Sequence, residues 1–275
     1  MARTAPEHPR EEAQRNDARN GHEGGAQGGH ADADPRALPE AAHETADQAA
    51  AQLRRAREPR WRALAKGRVY LAAYVSTLAA VIALGFAAHA VSILPGDIHF
   101  TRELQELRIP LVYGLLYAVS YIGYPLLSGV IVALVVAALL AARLSLAALF
   151  VPLSLLADVL GGLIKQVVGR HRPLPSQVNV VQVLHSPSFP SGHVLHYTVF
   201  YGFLAFVLAI SFRPSWLRNA LIGVCLALIV LVGPSRVYLG EHWLSDVVGG
   251  YLIGALLLVP LIAAYMWARE RFARG

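Results

Sequence analysis

Charge is scarce in this chain. Asp, Glu, Lys and Arg make up 15% of its 275 residues, against about a quarter in ordinary soluble domains. That argues against a solvated globular domain as the bulk of the molecule. Cysteine occurs once, at Cys225 inside an apolar run, which excludes an intrachain disulfide and gives no redox clue. No apolar stretch lies near Met1, so no signal peptide is expected. No short segments alternate apolar and polar residues, which argues against β structure. No soft-ligand set and no carboxylate cluster suits zinc, calcium or magnesium, so no metal and no cofactor is expected.

The scarcity is uneven. Residues 1–60 hold 9 Arg, 11 Asp or Glu and no Lys, with almost no Leu, Ile, Val or Phe. A segment with so little apolar surface to bury cannot offset its ordering entropy, so 1–60 reads as a disordered cytoplasmic tail. Its four histidines are too scattered for a metal site. Residues 61–275 carry 15 basic and only 7 acidic groups. The basic excess flanks the apolar runs, which points to membrane orientation and away from nucleic acid.

Apolar length is abundant. A membrane helix needs about 20 mainly apolar residues, and six stretches approach or exceed that: 69–94, 110–142, 144–164, 194–212, 217–232 and 247–267. The expectation is an all-α polytopic membrane helix bundle with six transmembrane helices, occupying 61–275. The second stretch is too long for one straight crossing, and Gly123 and Pro125 should break it. Arg54, Arg55, Arg57, Arg60, Arg62, Lys66 and Arg68 precede the first span. Arg143, then Arg213 and Arg218, then Arg269, Arg271 and Arg274 fall in later connections on the same side, which is expected to be cytoplasmic. The opposite side receives 95–109, 165–193 and 233–246. Lys165, Arg170, Arg172 and Arg236 there run against the rule, and such residues usually have a task.

Three segments on that side abut span ends: KQVVGRHRP (165–173), PSGH (190–193) and SRVYLGEHWLSD (235–246). Brought together, they would supply Lys165, Arg172 and Arg236 as cations, and Ser191 and Gly192 as donors at a helix N-terminus. Cations and helix-end amides suit a phosphate group. His242 and Asp246 are four apart and would share a helix face. The carboxylate could fix the imidazole tautomer and leave the other ring nitrogen to attack phosphorus. His193, from another segment, could protonate the leaving oxygen.

In order and spacing these segments resemble the signature of the type 2 phosphatidic acid phosphatase superfamily: Lys, six residues, Arg-Pro; Pro-Ser-Gly-His; Ser-Arg, five residues, His, three residues, Asp. Every position is present, from Lys165 to Arg172-Pro173, through 190–193, to Ser235-Arg236, His242 and Asp246. The resemblance covers roughly 69–268. It implies that His242 is the nucleophile, Asp246 its partner and His193 the acid–base residue, with Lys165, Arg172, Ser191, Gly192 and Arg236 in the phosphate pocket. It implies a membrane lipid phosphate phosphatase, metal-independent, with the site on the extracytoplasmic face and both termini cytoplasmic, and a bacterial inner membrane suits the chain. The expected partners are a lipid phosphate substrate and the membrane lipids, with no nucleic acid; no protein partner is indicated. Substrate candidates are phosphatidic acid, phosphatidylglycerol phosphate and undecaprenyl diphosphate. A lipid phosphotransferase using the same intermediate and a non-enzymatic transporter or binding protein are the alternatives.

Several residues outside the signature have two readings. Arg170 either adds charge at the mouth or is solvated. Ser235 caps or braces its turn. His196 lines the pocket or packs. Asp158 orients Lys165 or Arg172, or bonds a polar neighbour in the bundle. Tyr113, Tyr117, Tyr121 and Tyr124 form a stripe that anchors at the interface or lines a lipid slot. Gly250 and Gly254 should allow close packing on a neighbouring helix.

Overall fold

The computed structural model describes residues 60–272, with side chains from residue 67 on. Residues 1–59 of the expected tail, and Arg274, lie outside the described residues. Every regular element among the described residues is helical. Helix α1 (Arg60–Ala90) is the first span. A short turn leads to α2 (Asp97–Gln105), which buries Asp97 and Thr101. Helices α3 (Pro110–Ile122) and α4 (Pro125–Ala141) follow, bent by 69° at their junction. Each starts on a proline, whose missing N–H is harmless in a first turn. Glycine is required at the junction, because a Cβ on Gly123 would lie 2.3 Å from His193 Cδ2.

The third span is α5 (Ser145–Phe150), a 3-10 stretch (Val151–Leu155) around Pro152, and α6 (Leu156–Val168). Then come α7 (Gly192–Ser211), α8 (Trp216–Tyr238) and α9 (Leu244–Phe272). Five stretches are long and apolar enough to cross a membrane, and the bent pair makes a sixth. The chain is an integral membrane protein with the expected all-helical architecture.

Three boundaries differ from the sequence reading. The fifth span runs on to Tyr238, so Ser235 and Arg236 lie in its last turn and not in a connection. The third runs on to Val168, which puts Lys165 in a helical turn as well. Segment 95–109 contains α2 and is no simple loop. The cause is common to all three. Hydropathy marks where apolar side chains stop, whereas a helix continues as long as its backbone bonds are met.

Helix α7 is the centre of the bundle and packs most extensively on α8 and α9. Its Val194, Tyr197, Phe200, Phe203 and Val207 are fully buried, or nearly so. The α7–α9 contact depends on the glycines. A Cβ on Gly250 would meet Ser191 O at 2.9 Å, and one on Gly254 would meet Thr198 Cβ at 2.6 Å. The neighbour that the small-residue pair accepts is therefore α7 of the same chain. Without water to expel, helices in lipid associate through such close packing.

Candidate active site

At one end of the bundle, helix ends and connections bring three cations together. Lys165 stands in the last turn of α6, and its Nζ donates to Pro187 O at 2.9 Å and Ser188 O at 3.1 Å. Gly169, at φ 65°, then turns the chain out of the helix through a left-handed conformation. The extended segment that follows carries Arg172. Its Nε donates to Ser186 O at 2.7 Å and its Nη1 to Glu241 O at 2.6 Å. Burial lowers the Arg172 pKa to about 10, and neighbouring Arg236 adds to the effect. Arg236, wholly buried, donates to Ser120 Oγ and to the Glu241 carboxylate. Burial raises the Glu241 carboxyl above the usual carboxylate range, with Arg236 opposing.

His242 lies among them. Its Nε2 faces Arg172 Nη1 at 3.1 Å, and its Nδ1 faces Asp246 Oδ2 at 3.4 Å and Ser188 Oγ at 3.4 Å. Arg172 has only N–H donors, so Nε2 is the accepting nitrogen and Nδ1 carries the proton toward Asp246. Burial, then Arg172, Lys165 and Arg236, hold this imidazole well below its ordinary pKa, so it is neutral at pH 7. The pair does not share a helix face, contrary to the sequence reading. His242 precedes α9, and Asp246 sits in its first turn, accepting from Trp243 N at 2.9 Å. The turn at Gly240, φ 66°, sets this arrangement; a Cβ there would strike Asn179 O at 2.0 Å.

The third segment docks on the second. Ser191 N donates to Asp246 O at 3.0 Å, and a Cβ on Gly192 would lie 3.9 Å from Lys165 Cε. Ser191 is the N-cap of α7, but its hydroxyl caps nothing. Among the described residues four buried side-chain polar atoms have no hydrogen-bond partner. Three are Ser191 Oγ, His193 Nε2 and Arg236 Nε; the fourth is Arg218 Nε. Tyr124 presents its ring edge-on to His193, with centroids 5.5 Å apart.

The structure thus gathers Lys165, Arg172, Arg236, Ser191, Gly192, His242 and Asp246 into one network, with His193 in the same first turn of α7. It also shows what the sequence reading missed. Arg170 is buried and bonded to Asp246 at 2.6 Å, so neither of its two readings holds. Its place on the side where basic residues are disfavoured was the available clue. Ser188, Asp97, Ser120 and Glu241 gave none. Asp158 takes the second of its two readings, accepting from His196 Nδ1 at 2.9 Å, while His196 Nε2 faces Ser128 Oγ at 2.8 Å. Ser235 braces its turn through Val232 O at 2.7 Å. The tyrosine stripe is continuous, with ring spacings of 6.0, 6.3 and 5.8 Å, and its last member abuts His193.

Residues 146–271 match the model of the PAP2 superfamily. This helical stretch belongs to that superfamily. Over 118 residues the chain is 34% identical to phosphatidylglycerophosphatase B of Bacillus subtilis, covering 42% of this chain and 55% of that one. Over 104 residues it is 38% identical to undecaprenyl-diphosphatase of Sulfolobus acidocaldarius, covering 36% and 46%. The chain therefore spans about half the length of the curated relatives it matches. The crystal structure of a transmembrane PAP2 type phosphatidylglycerolphosphate phosphatase from B. subtilis superposes with a TM-score of 0.61 at 25% identity, over 69% of this chain and 94% of that one. All three signature segments lie inside the PAP2 match, whereas α1 to α4 precede it. Asp97, Ser120 and Tyr124 are therefore additions to the site from outside the matched stretch.

Proposed function

We propose that this protein is a lipid phosphate phosphatase that works through a phosphohistidine on His242. The observation that carries the reading is the set of buried, unpartnered polar atoms in the site: Ser191 Oγ, His193 Nε2 and Arg236 Nε. An unmet buried polar group costs about 1–3 kcal/mol, and three in one cluster beside two further cations fit an anionic guest.

In this scheme Lys165, Arg172, Arg236, Ser191 Oγ and the Gly192 amide hold the non-bridging phosphoryl oxygens. Arg172 Nη1 passes its N–H from His242 Nε2 to an oxygen of the substrate. His242 Nε2, neutral because of its setting, attacks phosphorus as the bond to the lipid oxygen breaks. His193 gives a proton to that oxygen and later takes one from the water that cleaves the P–N bond. Asp246 holds the Nδ1 proton and balances the positive ring. No step needs a metal.

The substrate class is a phosphomonoester or diphosphate of a lipid. Support comes from a site at the ends of membrane spans and from the names of the two curated relatives. Arg143, Arg213, Arg218, Arg269 and Arg271 lie at the opposite end of the spans, which supports a cytoplasmic placement for that end and an extracytoplasmic site in a bacterial inner membrane.

The test is release of inorganic phosphate from phosphatidic acid, phosphatidylglycerol phosphate and undecaprenyl diphosphate by purified protein in EDTA. Free phosphate without an added acceptor is expected, which a pure phosphotransferase does not give. His242→Ala should lower kcat by roughly 10⁴-fold or more. Turnover that survives in His242→Ala, or that requires magnesium, overturns the scheme.

A further inference from the structure

Arg170 lies between Lys165 and Arg172 in sequence, outside the signature, yet it is more deeply buried than either. Its side chain has no exposure. Nη1 donates to Asp246 Oδ1 at 2.6 Å and Ser245 Oγ at 2.7 Å, Nη2 to Asp97 Oδ2 at 2.7 Å, and Nε to Ser92 O at 3.1 Å. Asp97 is held just as firmly. Its Oδ1 accepts from Ser245 N at 3.0 Å and its Oδ2 from Leu94 N at 3.0 Å.

We propose that Arg170 and Asp97 form a positioning pair that aims the Asp246 carboxylate at His242 and preserves its charge for the imidazole. The inference rests on the phosphatase reading and extends it to residues outside the signature.

Two features carry it. The first is geometric. Arg170 takes Oδ1 of Asp246, which leaves Oδ2 to face His242 Nδ1. Oδ2 also accepts from Ser188 Oγ, and Ser188 N in turn donates to Arg170 O at 2.8 Å. One residue therefore fixes both oxygens, through its guanidinium and through its own carbonyl. The second is electrostatic. A single buried guanidinium would neutralise a single carboxylate and leave the imidazole without a counter-charge. Asp97 offsets the charge of Arg170, so the row Asp97, Arg170, Asp246 keeps one net negative charge at its His242 end. Removing one member of a buried ionic set leaves another uncompensated. Lysine cannot replace the fork that reaches both carboxylates.

The test is a double-mutant cycle on phosphate release from a lipid phosphate in detergent micelles. Arg170→Gln should lower kcat by roughly 100-fold, as about 1 Å of misplacement does. KM should change by less than about threefold, because Lys165, Arg172 and Arg236 are untouched. In an Asp246→Asn background the same change should cost less than about threefold, because Arg170 acts through that carboxylate. Arg170→Lys should not rescue. Asp97→Asn, nearly isosteric, should lower kcat by roughly 10-fold and carries the test alone if Arg170→Gln does not fold. Equal losses in the two backgrounds, or an Arg170→Gln protein with full kcat, overturn the proposal. A wild-type protein that releases no phosphate overturns the parent reading instead.

Discussion

Replacing Gly254 by Ala should slow catalysis from well below the reacting atoms. Gly254 lies eight residues along α9 from Asp246, or about 12 Å at the α-helical rise. A Cβ there would sit 2.6 Å from Thr198 Cβ and 2.8 Å from Thr198 Cγ2. Thr198 Cβ is anchored to the backbone of α7, so no side-chain rotation relieves the clash. Moving the new atom from 2.6 Å to the 3.4 Å where ordinary contact begins requires α9 and α7 to separate by about 0.8 Å. Helix α9 carries Asp246, and α7 carries Ser191 and His193, so the separation opens the Ser191 N to Asp246 O contact at the site. Near-ångström misplacement of reacting groups costs about 100-fold, and overpacking of this kind costs about 1–3 kcal/mol in stability. The assay is kcat for phosphate release beside thermal unfolding in the same detergent. Gly223→Ala is the control, since nothing lies within 4 Å of a Cβ at that position, and it should leave kcat unchanged. A Gly254→Ala protein with kcat within twofold of wild type and an unchanged melting temperature would refute the claim that the glycine contact sets the site.

Other tests address other links. His242 is neutral when folded and titrates near 6.5 when unfolded, so the unfolded chain binds the extra proton as pH falls below about 6.5, and stability falls by up to about 1.4 kcal/mol per pH unit. Thermal scans between pH 7.5 and 5.5 should show a steeper loss in wild type than in His242→Gln; parallel slopes refute the burial argument. Orthovanadate, a phosphate mimic, should raise the melting temperature, by an amount equivalent to about 2.7 kcal/mol at 100 times its Kd. Arg236→Gln should remove most of that shift, and an equal shift in both proteins refutes the role given to Arg236. Asp158→Asn should cost about 0.6–1.7 kcal/mol of stability, the range for hydrogen bonds between membrane helices, with kcat nearly unchanged. A 100-fold loss of kcat there would put the Asp158–His196–Ser128 tie in the reaction.

Much of the fold was legible because lipid imposes a simple rule. Long apolar runs must be helices, and the expected break at Gly123 and Pro125 is where the 69° bend falls. The signature segments were legible because their residue types and spacings are strict. Their company was not. Ser120, Asp97 and Glu241 reach the site from 116, 73 and 5 residues away from the groups they bond, and no local periodicity marks such distances. Glu241 was the least visible. It reads as one polar residue beside His242, yet its carboxylate is buried against Arg236. Hydropathy also misplaced Arg236, because a charge in the last turn of a span looks like the start of a loop.

The donor count explains why a site so rich in cations is stable while unliganded and still able to bind. A lysine has three N–H donors and an arginine five. Lys165 commits donors to two backbone carbonyls, so one remains. Arg172 meets Ser186 O, Ser186 Oγ, Glu241 O and His242 Nε2, so one remains beyond the donor it can pass to substrate. Arg236 engages only Ser120 and Glu241, which leaves three, among them its buried Nε. Carbonyls and one carboxylate hold the three side chains in place and soften their mutual repulsion, and the spare N–H groups stay available. A phosphoryl group that enters therefore meets fixed donors, with little reorganisation left to do as charge develops on its oxygens. Arg236 brings the most free donors and is also the cation already paired with a carboxylate. Its full charge would otherwise be the most costly to bury, so Glu241 serves as the internal counter-ion that lets Arg236 sit at the back of the pocket.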